Sequence, residues 1–478
     1  METLMARRMD GTETELDAEA VEELRIQLGE QIVAPDDAAY DDSRRVWNGM
    51  IDKHPALIVR CRGVADVVAS VTFARTHELP LAVRGGAHNV AGFGTCDGGL
   101  VIDLSLLRGV RVDPAARMAR AGGGATWGDV DRETQHFGLA VPGGIVSTTG
   151  IAGLTLGGGQ GWLRRTYGMA CDSLLSADVV TADGKFVTAS EAEHSDLFWA
   201  LRGGGGNFGV VTSFEYRLHP VGPMVAFAGP VYPLESAPSI IAAMGRFAAD
   251  APDEVNLSAT LMTIPPVPAF PAEIHGQQVV IVGAIYVGEP TEGERVLQPL
   301  REMEEPLLDM SATMPYTALQ QMFDPFFPAQ EHHHYWKSAY LAGLGEDAAS
   351  ALVEHAATWP SPMSMVGIWA VGGALGRVPA DATAAGDRAA PFLLEILGNW
   401  ADPQDSEANI AWARTLFDAM APFSTGKTNL NFPGLGNEPG FVEAALGDNW
   451  DRLVAVKRQY DPINLFRLNQ NIDPATGS

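Results

Sequence analysis

The 478-residue sequence predicts an α+β fold in two parts, and three observations carry that prediction. Glycine is concentrated: residues 85–161 hold 20 glycines in 77 positions, more than twice the share that an even spread of all 52 would give. Strand-like runs and short helical patterns alternate through that glycine-rich region. After Pro220 the texture changes to longer alternating segments and amphipathic helices, and residues 422–472 return to a texture rich in Gly, Asn and Pro.

The first part reads as strands at residues 79–83, 99–104, 118–121, 176–180 and 210–218, which are apolar and rich in β-branched residues. Val64, Val67, Val68 and Val71 recur at helical spacing, and residues 127–137 form a second helical segment. Glycine tolerates positive φ and lets backbone approach a neighbour closely, so its excess among ordered elements predicts backbone wrapped around a ligand. In the second part, residues 277–288, 332–341 and 363–372 read as strands, and 237–249 and 346–357 as amphipathic helices. Together they predict an antiparallel sheet covered by helices on one face. Residues 379–388, rich in Ala, Asp and Gly, read as a loop.

Composition narrows the function. With 59 acidic and 32 basic side chains the net charge is −27, while 46% hydrophobic and 19% charged residues describe a chain that buries real cores. So acidic a surface repels phosphate backbones and anionic lipid, so neither a nucleic-acid nor a membrane partner is expected. Residues 1–23 are polar, without the apolar core of a secretory signal, and apolar runs such as 279–287 fall short of the roughly 18 residues that span a bilayer. Cys61, Cys96 and Cys171 are odd in number, far apart and without CxxC spacing. They predict no disulfide framework, no zinc site and a cytoplasmic setting.

The standard nucleotide loops do not fit. Residues 204–209 match GxGxxG, yet they run into a strand-like segment where a dinucleotide fingerprint must open a helix. Residues 119–124 follow a strand and precede a helix, but Trp127 stands at the last glycine position. Gly426, Lys427 and Thr428 resemble the end of a P-loop whose first glycine is replaced by Ala421. A nucleotide bound here needs backbone N–H groups drawn from several segments. His88 follows an apolar strand and two glycines and reads either as a core histidine or as a reactive imidazole beside bared backbone. In the tract of residues 332–334 only His332 and His334 share a strand face, and no acidic partner is placed by spacing, so no metal is expected.

Five blocks together resemble the berberine-bridge-enzyme-like branch of the vanillyl-alcohol-oxidase superfamily of flavoproteins. They are residues 84–89 (Arg-Gly-Gly-Ala-His-Asn), 141–150 (Val-Pro-Gly-Gly-Ile-Val-Ser-Thr-Thr-Gly) and 156–161 (Leu-Gly-Gly-Gly-Gln-Gly), then 196–210 and 460–471. The resemblance covers nearly the whole chain. It implies a two-part FAD-binding domain, residues 1–222 and 421–478, with a substrate domain of residues 223–420 inserted between. It also implies hydride transfer from a small organic substrate (a sugar, alcohol, amine or secondary metabolite) to FAD, with dioxygen reoxidising the flavin.

Residue by residue, the resemblance makes His88 the covalent 8α attachment point of the flavin. Val146 stands where many relatives carry a second, cysteine tether, so a single covalent bond is expected. The implied cradle comprises Arg84, Gly85, Gly86, Ala87 and Asn89, then Gly143, Val146, Thr148, Thr149, Gly150 and Gly153. Gly158, Gly159, Gly209 and Val210 continue it, and Asn431 and Asn469 close it from the C-terminal side. The chain departs from its relatives at Asn429, which occupies the usual position of a Tyr or Glu base and cannot usefully accept a proton. Tyr335, Lys337 and Tyr167 are then the candidate bases. Thr149, at a position that governs oxygen access in such enzymes, raises the alternative of an oxygenating catalyst working through a flavin-N5-oxide. A catalytically silent flavin-binding protein is the remaining alternative.

Overall fold

The computed structural model describes residues 4–436, 438 and 440–476. Near the start a mixed four-stranded sheet runs in the order Ile32–Val33, Leu57–Arg60, Leu100–Asp103, Leu81–Arg84, and its last three strands are parallel. The helix Val64–Thr76 connects two of them, burying Val67, Val71 and Ala74 on one stripe. Because Leu81–Arg84 is parallel to its neighbour, the 85–89 loop leaves the sheet at its carboxyl edge, where ligands of α/β sheets commonly bind.

A five-stranded antiparallel sheet follows in the order Phe186–Ser190, Leu174–Val180, Val210–Arg217, Met118–Gly122, Val110–Asp113. The helix Trp127–Gln135 packs beside it. Its start is set by Thr126, whose Oγ1 accepts from Asp129 N while the Asp129 carboxylate takes Thr126 N–H at 2.9 Å.

All nine strands of the largest sheet lie between Met224 and Trp400, and every pairing in it is antiparallel. One face is covered by helices: Ile240, Ile241 and Met244, Leu352, and Trp412 and Leu416 meet Leu257, Val282, Leu394 and Ile396 in a continuous apolar core. The fold is α+β, with that sheet helix-covered on one face. Several elements had no counterpart in the sequence reading, among them the strands Val255–Thr263 and Phe392–Trp400 and the helices Pro290–Arg301, Ser406–Ala419 and Trp450–Tyr460.

The C-terminal segment is held against the glycine loop of residues 203–209 by a fully buried ion pair. Lys457 Nζ donates to Asp461 Oδ2 at 2.7 Å, to Asn207 O at 2.8 Å and to Phe466 O at 3.0 Å. Asp461 in turn accepts the Leu465 and Phe466 N–H groups, each at 2.8 Å. Each charge is satisfied only by the other and by these backbone groups, so deleting one strands its partner. Lys457→Met is expected to destabilise the protein by about 3–5 kcal/mol in denaturant unfolding, with part recovered in a Lys457→Met, Asp461→Leu double variant.

Candidate active site

A cleft runs between the four- and five-stranded sheets and the face of the large sheet opposite its helices. Its floor is a crossing of two backbone segments. A Cβ built on Gly86 would lie 2.3 Å from Gly150 N, and one built on Gly150 would lie 2.3 Å from Gly86 N. Neither position tolerates a side chain, and the contact lays the 85–89 loop directly over residues 148–150. As a result His88 Nε2 sits 3.1 Å from Thr148 Oγ1. The imidazole also stacks on Trp47 at 4.3 Å between ring centroids, and Trp47 stacks on His334 with its other face at 3.9 Å. Trp47 is fixed by donating Nε1–H to Phe327 O at 3.2 Å. Burial, with His334 a smaller influence, pushes the His88 pKa down to about 3, so the ring is neutral.

Apolar lining comes from two separate clusters. Leu81, Leu104 and Phe466 belong to the core around the parallel sheet, whereas Val146, Phe327, Trp336, Leu397 and Phe432 belong to the core beneath the large sheet. Between them the walls are backbone. Gly153 and Gly206 line the cleft, and a Cβ on Gly153 would meet no protein atom within 4 Å. Such a cavity suits an elongated ligand with flat ring systems at its ends and a polar middle gripped by backbone N–H groups.

Most of the expected cradle lines this cleft: residues 84–89, then Val146, Thr149, Gly150 and Gly153, and finally Gly209, Asn431 and Asn469. Thr148 reaches it through His88 and lines an adjoining cavity. Four expectations are corrected. Gly143 lies behind the wall against the Trp127 ring, Val210 is wholly buried, and Gly158 and Gly159 pack on Met169 and on Leu154 and Ala170. Their neighbours Gly144, Gly157, Gln160 and Val211 face the cleft instead. Many of the region's glycines serve backbone contact with other backbone: a Cβ on Gly124 would lie 1.7 Å from Leu104 O. The glycine excess therefore reports close-packed chain as much as chain around a ligand.

The candidate bases are corrected more sharply. Tyr335 and Lys337 lie on the helix-covered face of the His333–Leu341 strand, where Tyr335 OH donates to Glu438 Oε1 at 2.6 Å and Lys337 Nζ sits 4.2 Å over the Phe417 ring. The cleft side of that strand carries His334 and Trp336, not these two. Tyr167 stacks on His219 at 4.0 Å and donates to Pro220 O, also away from the cleft. Asn429 does line it, but its Oδ1 accepts Asn431 N–H at 3.1 Å and shapes the local turn.

The carboxyl group at the site is Glu395, which sequence reasoning missed. It stands in the strand Phe392–Trp400, facing Ser338 and Gly367 on the neighbouring strands, and lines the cleft beside Trp336, Trp369 and Leu397. Trp369 Nε1–H donates to Glu395 Oε2 at 2.8 Å. Burial pushes the Glu395 pKa up to about 7, opposed by that hydrogen bond and by the charge of Arg164. Besides Glu395, the titratable side chains lining the cleft are Arg84, whose N–H groups donate to the Ser43, Arg44 and Gly94 carbonyls, and His88. The one sequence signal was a single acid inside a nine-residue strand whose other residues, Asn399 apart, are apolar or glycine.

Known proteins resemble this chain in sequence and fold. A family model described as an FAD binding domain matches residues 55–190, and one described as berberine and berberine-like matches residues 428–473. The chain is 33% identical over 456 residues to the (R)-6-hydroxynicotine oxidase of Paenarthrobacter nicotinovorans, covering 93% of this chain and 96% of that protein. It is 31% identical over 461 residues to the FAD-linked oxidoreductase YgaK of Bacillus subtilis, covering 94% and 98%. The crystal structure of 6-hydroxy-D-nicotine oxidase from Arthrobacter nicotinovorans superposes with a TM-score of 0.83 at 29% identity, covering 94% of this chain and 98% of that one. A chitooligosaccharide oxidase shares the fold with a TM-score of 0.84 at 24% identity.

The residues present fit an FAD. Bare backbone faces the cleft at Gly153 and Gly206, and the buried Oδ1 of Asn469 and Oε1 of Gln160 line it without a protein partner. Two glycine substitutions separate folding from binding. Gly150→Ala forces the crossing apart and is expected to cost about 1–3 kcal/mol of stability together with flavin content. Gly153→Ala meets no protein atom, so flavin-free protein should unfold as the wild type does while visible flavin absorbance per protein falls.

Proposed function

The chain belongs to the berberine-bridge-enzyme-like family of FAD-linked oxidoreductases, and we propose that it oxidises a small, largely apolar amine, with Glu395 as proton acceptor and His88 as the single covalent tether. The observation that carries this reading is a lone carboxyl group, its proton affinity raised by burial, in a pocket whose apolar walls include Phe327, Trp336, Trp369, Leu397 and Phe432. Aromatic faces and one carboxylate together attract a cation with an apolar body, and they offer little to the many hydroxyls of a sugar. A relative that is a 6-hydroxynicotine oxidase supports the same substrate class.

Glu395 binds the ammonium group as its counter-ion and then takes the proton, leaving a nitrogen lone pair beside the C–H bond to be broken. When bound, FAD supplies the hydride acceptor, and dioxygen carries the electron pair away. Asn429 offers an amide N–H₂ to the substrate, since its oxygen is already engaged. Thr149 lines the flavin end of the cleft and, in this reading, shapes the path of oxygen. The rings of Trp336 and Phe432, stacked at 5.8 Å, keep water out and orient the substrate.

His88 supports the tether by its geometry. The neutral ring is clamped on Trp47, and in the tautomer in which Nε2 donates to Thr148 Oγ1, Nδ1 keeps its lone pair for the flavin methyl carbon. Val146, buried and thiol-free, leaves no second attachment.

Two measurements test the reading. After acid precipitation the wild-type pellet should stay yellow and His88→Ala should release its flavin to the supernatant; colour leaving the wild-type pellet removes the tether. Against a panel of aromatic secondary and tertiary amines, kcat/KM should rise with pH through about 7 as Glu395 loses its proton. Glu395→Gln should lose that limb and roughly 10²–10⁴-fold of kcat/KM. A Gln variant as fast as the wild type rules Glu395 out as the base.

A further inference from the structure

Arg164 is a fully buried cation with no carboxylate in contact. Its Nε donates to Ala370 O at 2.8 Å, one terminal nitrogen to Gly161 O at 2.8 Å and the other to Leu257 O, all backbone carbonyls. Its guanidinium carbon lies 4.5 Å from the centroid of the Trp369 ring. The edge of that same indole donates to Glu395 Oε2. A cation over an indole face draws electron density from the ring and makes its N–H a stronger donor. Arg164, Trp369 and Glu395 therefore form one line from the protein interior to the cleft, and among the described residues Oε1 of Glu395 has no hydrogen-bond partner at the cleft end.

We propose that Arg164 is a positioning residue that acts through Trp369 to hold Glu395 as a cleft-facing carboxylate. The proposal rests on the reading of Glu395 as the proton acceptor but concerns a different property, the state of the carboxyl before substrate arrives. An isolated carboxyl in so apolar a pocket stays protonated and can neither pair with an ammonium group nor accept its proton. Arg164 supplies the compensating charge from behind, where it cannot form an ion pair that would occupy Oε1 and block the substrate.

The surroundings leave few competitors. Among the described residues, Arg164 is the charged group that acts on Glu395, on the helix Arg164–Tyr167. On the strand beside Glu395, Ser338 is neutral and Tyr340, whose hydroxyl accepts from Gln160 Nε2 at 2.7 Å, is the titratable neighbour. Gly367 on the other flanking strand contributes no side chain, and a Cβ there would meet Glu395 Oε2 at 3.4 Å and Trp369 Nε1 at 3.3 Å. That glycine leaves the space in which the indole N–H reaches the carboxylate.

The test is an infrared pH titration of the holoenzyme, with Glu395→Gln identifying the carbonyl band of the Glu395 acid form. Its midpoint should lie near 7 in the wild type. Trp369→Phe keeps a ring beneath the guanidinium and removes the donor, so the midpoint should rise by about one to two units. Arg164→Gln should raise it as well, and by less in the Trp369→Phe background than in the wild type. An unmoved midpoint in Trp369→Phe overturns the proposal, as does an Arg164→Gln shift of equal size with and without the indole. If Arg164→Gln does not fold, Trp369→Phe alone decides. Titration without substrate keeps the two readings apart: a moved midpoint with a fully active Glu395→Gln refutes the base and leaves the relay, while the reverse pattern refutes the relay and leaves the base.

Discussion

The crossing of Gly86 over Gly150 is the constraint on which the site depends. Two backbones approach to a distance that excludes a Cβ on either chain. One segment leaves the carboxyl edge of a parallel sheet, and the other precedes the helix Ile151–Leu156. Their contact ties those elements together and sets His88 against Thr148 with no freedom left in the loop. Trp47 then closes over the imidazole and, through its second face, links it to His334 on the large sheet. One steric fact thus places His88 relative to both walls of the cleft.

The electrostatics of the site are local and owe little to the surface. A net charge of −27 surrounds a protein in which several buried charged side chains are held by local partners. Lys457 and Asp461 neutralise each other and so fasten the C-terminal segment beside the glycine loop. Arg84 is spent on backbone carbonyls and the Asp103 carboxylate, and Arg164 is spent on carbonyls and an indole face. What remains open to the cleft is one carboxyl and one neutral imidazole, in a pocket where low polarity magnifies every interaction that survives. The same apolar environment that raises the Glu395 proton affinity brings it into the range useful at neutral pH.

Legibility differed between the two halves of the site. The glycine-loop side was readable because close approach of backbone to backbone demands glycine at particular spacings. The substrate side was not. The tract from His333 to Leu341 has both faces buried, so hydrophobic alternation cannot say which face looks into the cleft. Tyr335 and Lys337 share a face, and it is the wrong one; a one-residue change of parity separates them from His334 and Trp336. Glu395 was overlooked because an acid in an apolar strand carries no spacing motif, and its partners Trp369 and Arg164 lie 26 residues or more away in the chain.

The amino-acid order by itself determined the family, the α+β class and the loop that carries His88, because those depend on local glycine geometry and on contiguous blocks. It also determined that the usual Tyr or Glu position holds Asn429 and that Val146 supplies no thiol. Only the tertiary structure decided which carboxyl group lines the cleft and which side chains stand behind it. The physical reason is that strand register and sheet order bring Glu395, Trp369 and Arg164 into one line, and register is a property of paired strands rather than of any single segment.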